Sequence, residues 1–170
     1  MSRVELSEAA ELGGCSVPVF ERSIEIKADQ KALFELTQDY DRRLAWDPFL
    51  KEARLLHGAE QACVGARAWC VAKIWGGMET EYVSYNPPDV VAVKMTNGPA
   101  VFDSFAGSWR FSSVAPGVTR VVFRYNFSSR PAWLSFILDP VVHIDLSRNA
   151  RRRLAALKWA VEETSILRPV

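Results

Sequence analysis

Four residues of the chain, Glu81, Asp103, Tyr125 and His143, carry side chains that can donate or accept a proton. Carboxyl, phenol and imidazole groups act as general acids or bases when burial or a neighbouring charge brings their pKa toward the working pH. Asp103 stands two residues before Phe105, a spacing that places both side chains on one face of a strand. These four residues are therefore the candidate catalytic residues if the chain performs proton-transfer chemistry.

The sequence leaves the orientation of several polar candidates open. Glu79 and Glu81 occupy alternate positions of one predicted strand, so they share a face that points either inward or toward solvent. Asp103 opens its predicted strand, where the register is loose, and exposure to solvent is the alternative for it. Arg22 lies on the apolar face of its strand and could orient a ligand. His143 lies near the start of a long predicted helix, from which it could reach the mouth of a pocket.

Metal and nucleotide chemistry have no sequence support. The chain has two histidines and three cysteines, Cys15, Cys63 and Cys70, and no pair of cysteines has the C-x-x-C spacing of a metal site. It contains neither a phosphate-binding G-x-x-x-x-G-K-[ST] loop nor a G-x-S-x-G turn for a nucleophilic serine. We therefore expect no metal and no cofactor.

Composition narrows the class of protein. The chain has 170 residues, 49% of them hydrophobic, which is enough for the core of one domain. Its 21 Lys and Arg against 20 Asp and Glu give a net charge of +1, so nucleic acid is not an expected partner. The run Arg151-Arg152-Arg153 is interpreted as a solvated helix face. Acidic residues interrupt the apolar runs near the N-terminus, and we expect a cytoplasmic protein with reduced cysteines.

The pattern of apolar residues predicts elements that could position these groups. Residues 1–16 form a polar leader, and a half-buried strand begins at Val17. Asp29 is a predicted N-cap for the first of two short helices that end at Trp46. Six further strand-like segments follow, each closed by a turn signal. They are 50–57, 67–75, 78–85, 89–96, 102–113 and 118–129.

The last two predicted strands each have one aromatic face. Such faces either fill a closed core or line a cavity for an apolar ligand, and the sequence does not decide between the two. The aromatic residues of these two faces are candidate ligand-binding residues. Trp46 and the aromatic residues that follow the last strand are further candidates. The candidates are Trp46, Phe105, Trp109, Phe111, Phe123, Tyr125, Trp133 and Phe136.

A long amphipathic helix is predicted to close the chain. Asp139 and Pro140 resemble an N-cap and first helical position, so we expect the helix to restart or kink there and to continue to Glu163. Its length of about 24 residues corresponds to roughly 36 Å. The preceding apolar turn with Trp133 and Phe136 is either packed against the domain, a mobile lid or an edge that touches membranes.

The order of these elements, with several short segments, resembles the START-like (SRPBCC) superfamily, and within it the polyketide cyclase/dehydrase and lipid-transport group. The resemblance extends from about residue 17 to 163. It implies an α+β helix-grip domain over 17–165, in which a seven-stranded curved antiparallel sheet wraps around the C-terminal helix, and a tail over 166–170. The segments are Trp46-Asp47-Pro48, Gly65, Glu81 to Pro88, Gly107 to Phe111 and Leu154-x-x-Leu157-Lys158.

The resemblance implies binding or transport of a hydrophobic small molecule, such as a lipid, quinone or polyketide, in an internal cavity. The alternative is a polyketide cyclase/dehydratase that uses acid and base residues in the same cavity, and a third is an assembly module that works through its surface. Binding is favoured because no group of residues has the specific spacing that catalysis usually requires. Stable membrane insertion is not expected, transient membrane contact is compatible with the sequence, and the oligomeric state stays open.

Overall fold

A computed structural model describes residues 19–74, 76–131, 133, 135–164 and 166–167, so the predicted leader lies outside the described residues. Seven strands and three helices follow one another in the order expected from the sequence. They are β1 (Val19–Ile26), α1 (Gln30–Gln38), α2 (Arg43–Trp46), β2 (Leu50–Leu55), β3 (Arg67–Ala72), β4 (Gly76–Asn86), β5 (Val90–Asn97), β6 (Phe102–Ala115), β7 (Val118–Ser129) and α3 (Ser135–Glu163).

All seven strands belong to one antiparallel sheet with the order β1-β7-β6-β5-β4-β3-β2. The sheet is curved, and α3 packs against β1 and β7. Alternation of apolar and polar residues puts one face of each long strand against the helix. In β7, for example, Val121, Phe123, Tyr125 and Phe127 are buried while Arg124 is exposed. The predicted seven-stranded helix-grip architecture is confirmed.

The N-terminal elements follow their sequence signals closely. Asp29 caps α1, because its Oδ2 accepts hydrogen bonds from the backbone amides of Lys31 and Ala32 at 3.0 and 3.3 Å. On β1, Arg22 lies on the inward face and its Nη2 donates to Ser147 Oγ of α3 at 2.6 Å. Arg22 thereby links the first strand to the last helix.

The last helix does not restart at Pro140, which was one of the two outcomes expected there. Helix α3 begins at Ser135 and continues through Pro140 to Glu163. A proline inside a helix removes the hydrogen bond to the carbonyl four residues earlier, which here belongs to Phe136. Both Pro140 and Phe136 are exposed, so water can satisfy that carbonyl and the helix need not end. No helix in the described part of the chain is long and apolar enough to span a membrane.

Candidate functional site

A cavity of about 120 Å³ lies between the concave face of the sheet and α3. Side chains from α2, several strands and α3 converge on it, and most of the lining is apolar. The apolar contacts include Val93, Phe102, Phe105, Trp109, Phe123 and Leu146. An aromatic and aliphatic wall of this kind is typical of sites for small apolar ligands.

Four of the predicted ligand-binding aromatic residues line this cavity, namely Phe105, Trp109, Phe123 and Tyr125. Their rings contact one another in sequence across β6 and β7, with centroid distances of 4.2 Å between Trp109 and Phe123 and 4.8 Å between Phe105 and Tyr125. Such tilted ring pairs are stabilising and hold each ring in one orientation. The wall is therefore a preformed surface.

Two other predicted residues, Trp46 and Phe111, lie outside the cavity lining and pack against Trp109. The Trp46 ring meets the Trp109 ring edge-on with a centroid distance of 6.1 Å, and Phe111 stacks on Trp109 at 6.4 Å. Phe111 also contacts Phe34 of α1 at 5.5 Å. Both residues support the cavity wall without facing the cavity.

A buried group of three charged residues, Arg43, Asp47 and Arg153, lies at the cavity. Arg153 donates from Nη2 and Nε to Asp47 Oδ2 at 2.7 and 3.1 Å, and Arg43 Nε donates to the same oxygen at 3.1 Å. The side chains of Asp47, Arg153 and Arg43 are 0%, 6% and 9% exposed. Both arginines line the cavity. We call these three residues the charged cluster.

Aromatic rings and one hydroxyl complete the surroundings of the charged cluster. Arg153 Nη1 donates a hydrogen bond to the Tyr125 hydroxyl, and the Arg153 guanidinium carbon lies 4.9 Å from the Phe123 ring centroid. The guanidinium carbon of Arg43 lies 4.8 Å from the Trp46 ring centroid. Ring faces attract cations, so these contacts help to retain buried guanidinium groups.

A second polar group lies elsewhere on the cavity wall. The hydroxyls of Tyr40 and Tyr82 are 2.9 Å apart, and Tyr82 donates to Gln38 Oε1 at 3.1 Å. Gln38 Nε2 in turn donates to Thr37 Oγ1 at 3.0 Å. We call Gln38, Tyr40 and Tyr82 the tyrosine chain.

An open groove of about 850 Å³ runs between α1, β2 and residues 59–62. Gln38 and Tyr40 line both this groove and the cavity. These two residues of the tyrosine chain therefore form a partition between a solvent-accessible groove and the inner space.

The structure places the carboxylate candidates away from the cavity. Glu81 lies on the outer face of the sheet, where its carboxylate is 3.8 Å from Arg67 Nε and 3.6 Å from Lys94 Nζ. Of the two orientations left open for Asp103, the structure has the exposed one, because a bulge between Phe102 and Ser104 interrupts the alternation of β6. Asp103 is consequently exposed and pairs with Arg130, with Nη2 2.5 Å from Oδ1.

Three candidates from the last helical region also lie outside the cavity. The imidazole of His143 packs edge-on against Phe20 of β1, with a centroid distance of 5.3 Å. Trp133 and Phe136 are 75% and 74% exposed. Their expected place on the cavity wall is wrong, because the cavity lies further along α3, where Leu146 lines it about 15 Å after Phe136.

Comparison with known proteins agrees with this architecture. The sequence profile described as "Polyketide cyclase / dehydrase and lipid transport" matches residues 18–162. The chain belongs to the polyketide cyclase/dehydrase and lipid transport family. A search of curated proteins finds no match.

Solved structures share the fold of this family member at low sequence identity. The Zhui aromatase/cyclase from Streptomyces sp. R1128 has a TM-score of 0.71 and 16% identity over 86% of this chain and 94% of that chain. A START superfamily protein from Mycobacterium smegmatis has a TM-score of 0.70 and 15% identity over 85% and 97%. The di-domain aromatase/cyclase BexL of the BE-7585A biosynthetic pathway has a TM-score of 0.69 and 19% identity over 86% and 50%.

The electrostatics of the charged cluster fix its ionisation in this family member. Burial raises the pKa of Asp47, but the charges of Arg153 and Arg43 outweigh it and hold that pKa below its usual value. Burial lowers the pKa of Arg153, and the Asp47 carboxylate more than compensates, so that pKa is raised. Asp47 and Arg153 are therefore charged at neutral pH, and arginine side chains such as that of Arg43 always carry their charge in proteins.

Sequence reasoning missed the charged cluster because Arg153 is 106 residues away from Asp47 in the chain. Arg151 and Arg152 are exposed as expected, but Arg153 is buried. One signal was available: Arg153 follows Ala150 by three residues and precedes Leu157 by four, which places it on the apolar stripe of the helix. A charge on such a stripe needs a buried partner, and Asp47 supplies it.

Proposed function

We propose that the chain binds and carries a hydrophobic small molecule, such as a lipid, quinone or polyketide, in the cavity. The observation that carries this proposal is the combination of a preformed aromatic wall with a fixed charged cluster in one cavity. The apolar wall supplies most of the binding free energy, while the polar groups orient the ligand. The family, which includes lipid transport, agrees with this function.

The protonation states of the cavity wall favour binding over acid–base catalysis. Burial raises the pKa of Tyr40 to about 12 and also raises the pKa of Tyr82, Tyr125 and Cys70. A general acid or base works best when its pKa lies near the operating pH. These four groups remain protonated at neutral pH, so they can donate hydrogen bonds but are poor bases.

A polyketide cyclase/dehydratase is the second candidate function. It is favoured by the hydroxyl of Tyr125, which lines the cavity, accepts a hydrogen bond from Arg153 and can donate its own O–H to a substrate carbonyl oxygen. Such a donor would stabilise the negative charge that develops on an enolate. Turnover of a bound ligand would support this function over carriage alone.

We also propose that the chain touches membranes transiently through the outer face of α3. This face carries Phe136, Ile137, Val141 and Ile144, which are 74%, 51%, 61% and 52% exposed. The arginines that follow on the same helix, Arg148, Arg151 and Arg152, are exposed as well. An apolar patch continued by cations fits the surface of a bilayer that contains anionic lipids.

Native mass spectrometry of the purified chain after exposure to a lipid and metabolite extract tests the binding function. We expect one discrete mass shift in the wild type. We expect Phe105→Ala to lower the affinity for the bound compound about tenfold, because part of the cavity wall is lost. Phe136→Ala is the matched control, since it removes an equal side chain from the outer surface. An unliganded mass in the wild type, or equal loss in both variants, would contradict the proposal.

A further inference from the structure

The charged cluster contains two guanidinium groups and a single carboxylate. Arg43 and Arg153 both line the cavity, whereas Asp47 is not part of the lining. The cluster therefore has an excess of one positive charge, and it presents its cations to the inner space.

Among the residues that the structure describes, no carboxylate lines the cavity to compensate this charge. The lining residues in the described part of the chain include neither aspartate nor glutamate. Besides its hydrogen bond to Asp47, Arg43 donates one from Nη1 to the backbone carbonyl of Thr37, which is neutral. A buried charge without a counter-charge is costly, and ring faces offset only a part of that cost.

We infer that the ligand is an amphipathic monoanion whose carboxylate, or an equivalent ionised oxygen acid, neutralises the charged cluster. This inference rests on the proposed binding function and names the chemical class of its ligand. Arginine presents paired N–H donors that match a carboxylate, and such charge-assisted hydrogen bonds are the stronger kind. The apolar body of the ligand then lies along the wall formed by Trp109 and Phe123.

A matched set of probes isolates the contribution of charge. Octanoate, octan-1-ol and octylammonium have the same apolar chain and differ in head group, and calorimetric titration at pH 7 gives the affinity of each. We expect octanoate to bind at least tenfold more tightly than octan-1-ol, and octylammonium to bind most weakly. If octan-1-ol binds as tightly as octanoate, the monoanion inference is wrong and the binding function stands. If none of the three binds, the monoanion inference is overturned; the mass-spectrometric test then decides the binding function independently.

Arg43→Gln removes the excess charge and leaves the pair between Arg153 and Asp47 in place. We expect this variant to lose the preference for octanoate, so that octanoate and octan-1-ol bind to it with affinities within about twofold of each other. Arg43→Lys keeps the positive charge and should retain most of the preference, which a purely structural role of the side chain would not explain. If Arg43→Gln keeps the full preference for octanoate over octan-1-ol, the monoanion inference is contradicted. The wild-type probe series decides the question even if that variant does not fold.

Discussion

Arg153 of α3 and Asp47 at the end of α2 are 106 residues apart in sequence and share a buried ion pair in which two guanidinium nitrogens donate to one carboxylate oxygen. This pair fastens the last helix to the short helices that precede the sheet meander. Arg43 donates to the same oxygen, so Asp47 is the only acidic group within the charged cluster. The stability of the fold and the charge of the cavity therefore depend on one carboxylate.

Asp47→Ala should destabilise the protein strongly. The substitution leaves two buried guanidinium groups without their partner, and breaking a buried ion pair in this way costs about 3–5 kcal/mol of unfolding free energy. Urea unfolding followed by circular dichroism measures the change. Glu25→Gln, which breaks an exposed pair with Arg120, is the control and should cost less than about 1 kcal/mol. If Asp47→Ala lowers the unfolding free energy no more than Glu25→Gln does, the assignment of a buried, stabilising ion pair to Asp47 is contradicted.

The charged cluster should also make stability depend on acid pH. Because the pKa of Asp47 is lower in the folded state, its contribution is complete above the unfolded value of about 3.9 and is lost as pH falls below it toward the folded pKa. Unfolding free energies measured between pH 7 and pH 2.5 should fall more steeply for the wild type than for Asp47→Asn. If the unfolding free energies of the wild type and Asp47→Asn fall in parallel with pH, Asp47 does not contribute to the pH dependence of stability.

Tyrosine ionisation in the folded protein should be shifted to pH values above 10. All four tyrosines of the sequence, Tyr40, Tyr82, Tyr85 and Tyr125, have raised pKa values, chiefly because burial disfavours the phenolate. Their contribution to stability is complete below the unfolded pKa of about 10 and is lost as pH rises through the folded values, about 12 for Tyr40. The midpoint of the rise in absorbance at 295 nm should therefore lie above pH 10. A phenol that titrates at pH 10 in folded protein would contradict this.

Neutralising the outer carboxylates should leave ligand binding unchanged. Asp103→Asn and Glu81→Gln break exposed or half-exposed ion pairs on the outer surface, so each should change the unfolding free energy by less than about 1 kcal/mol. The affinity for octanoate should stay within about twofold. A larger loss of affinity in either variant would show that the substituted residue contributes to ligand binding.

Membrane contact should depend on the outer face of α3. Phe136→Asp places a charge in the apolar patch, and co-sedimentation with vesicles of phosphatidylcholine and phosphatidylserine should weaken roughly tenfold. Val83→Asp changes an exposed apolar residue of β4 and is the control. Equal sedimentation of both variants and the wild type would exclude this face as the contact.

The fold was predictable because its signals are local. Alternation of aromatic and polar residues defined β6 and β7, turn residues bounded the strands, and Asp29 marked the start of α1. Local signals failed where a neighbouring element decides the outcome. The bulge that turns Asp103 outward depends on the pairing of β6 with β7, and α3 passes Pro140 because that residue faces solvent.

The cavity wall was predictable in part, and its polar groups were not. Phe105, Trp109, Phe123 and Tyr125 follow from strand alternation alone, since every second residue faces the same side. Arg153 and Asp47 meet only through the tertiary fold, and periodicity carries no information about which distant charge will pair with a buried one. The tyrosine chain depends on the same kind of long-range contact.

The partition formed by Gln38 and Tyr40 has a kinetic consequence. A cavity of about 120 Å³ is comparable to one that accepts a single benzene ring, and the groove beyond Gln38 and Tyr40 has space for the rest of a longer ligand. A ligand that passes from the cavity into the groove displaces Tyr40 and breaks its hydrogen bond with Tyr82. Association of long ligands is then limited by the opening of this pair, and the observed rate reaches a plateau as ligand concentration rises. Dissociation crosses the same barrier, which lengthens the residence time of a carried molecule.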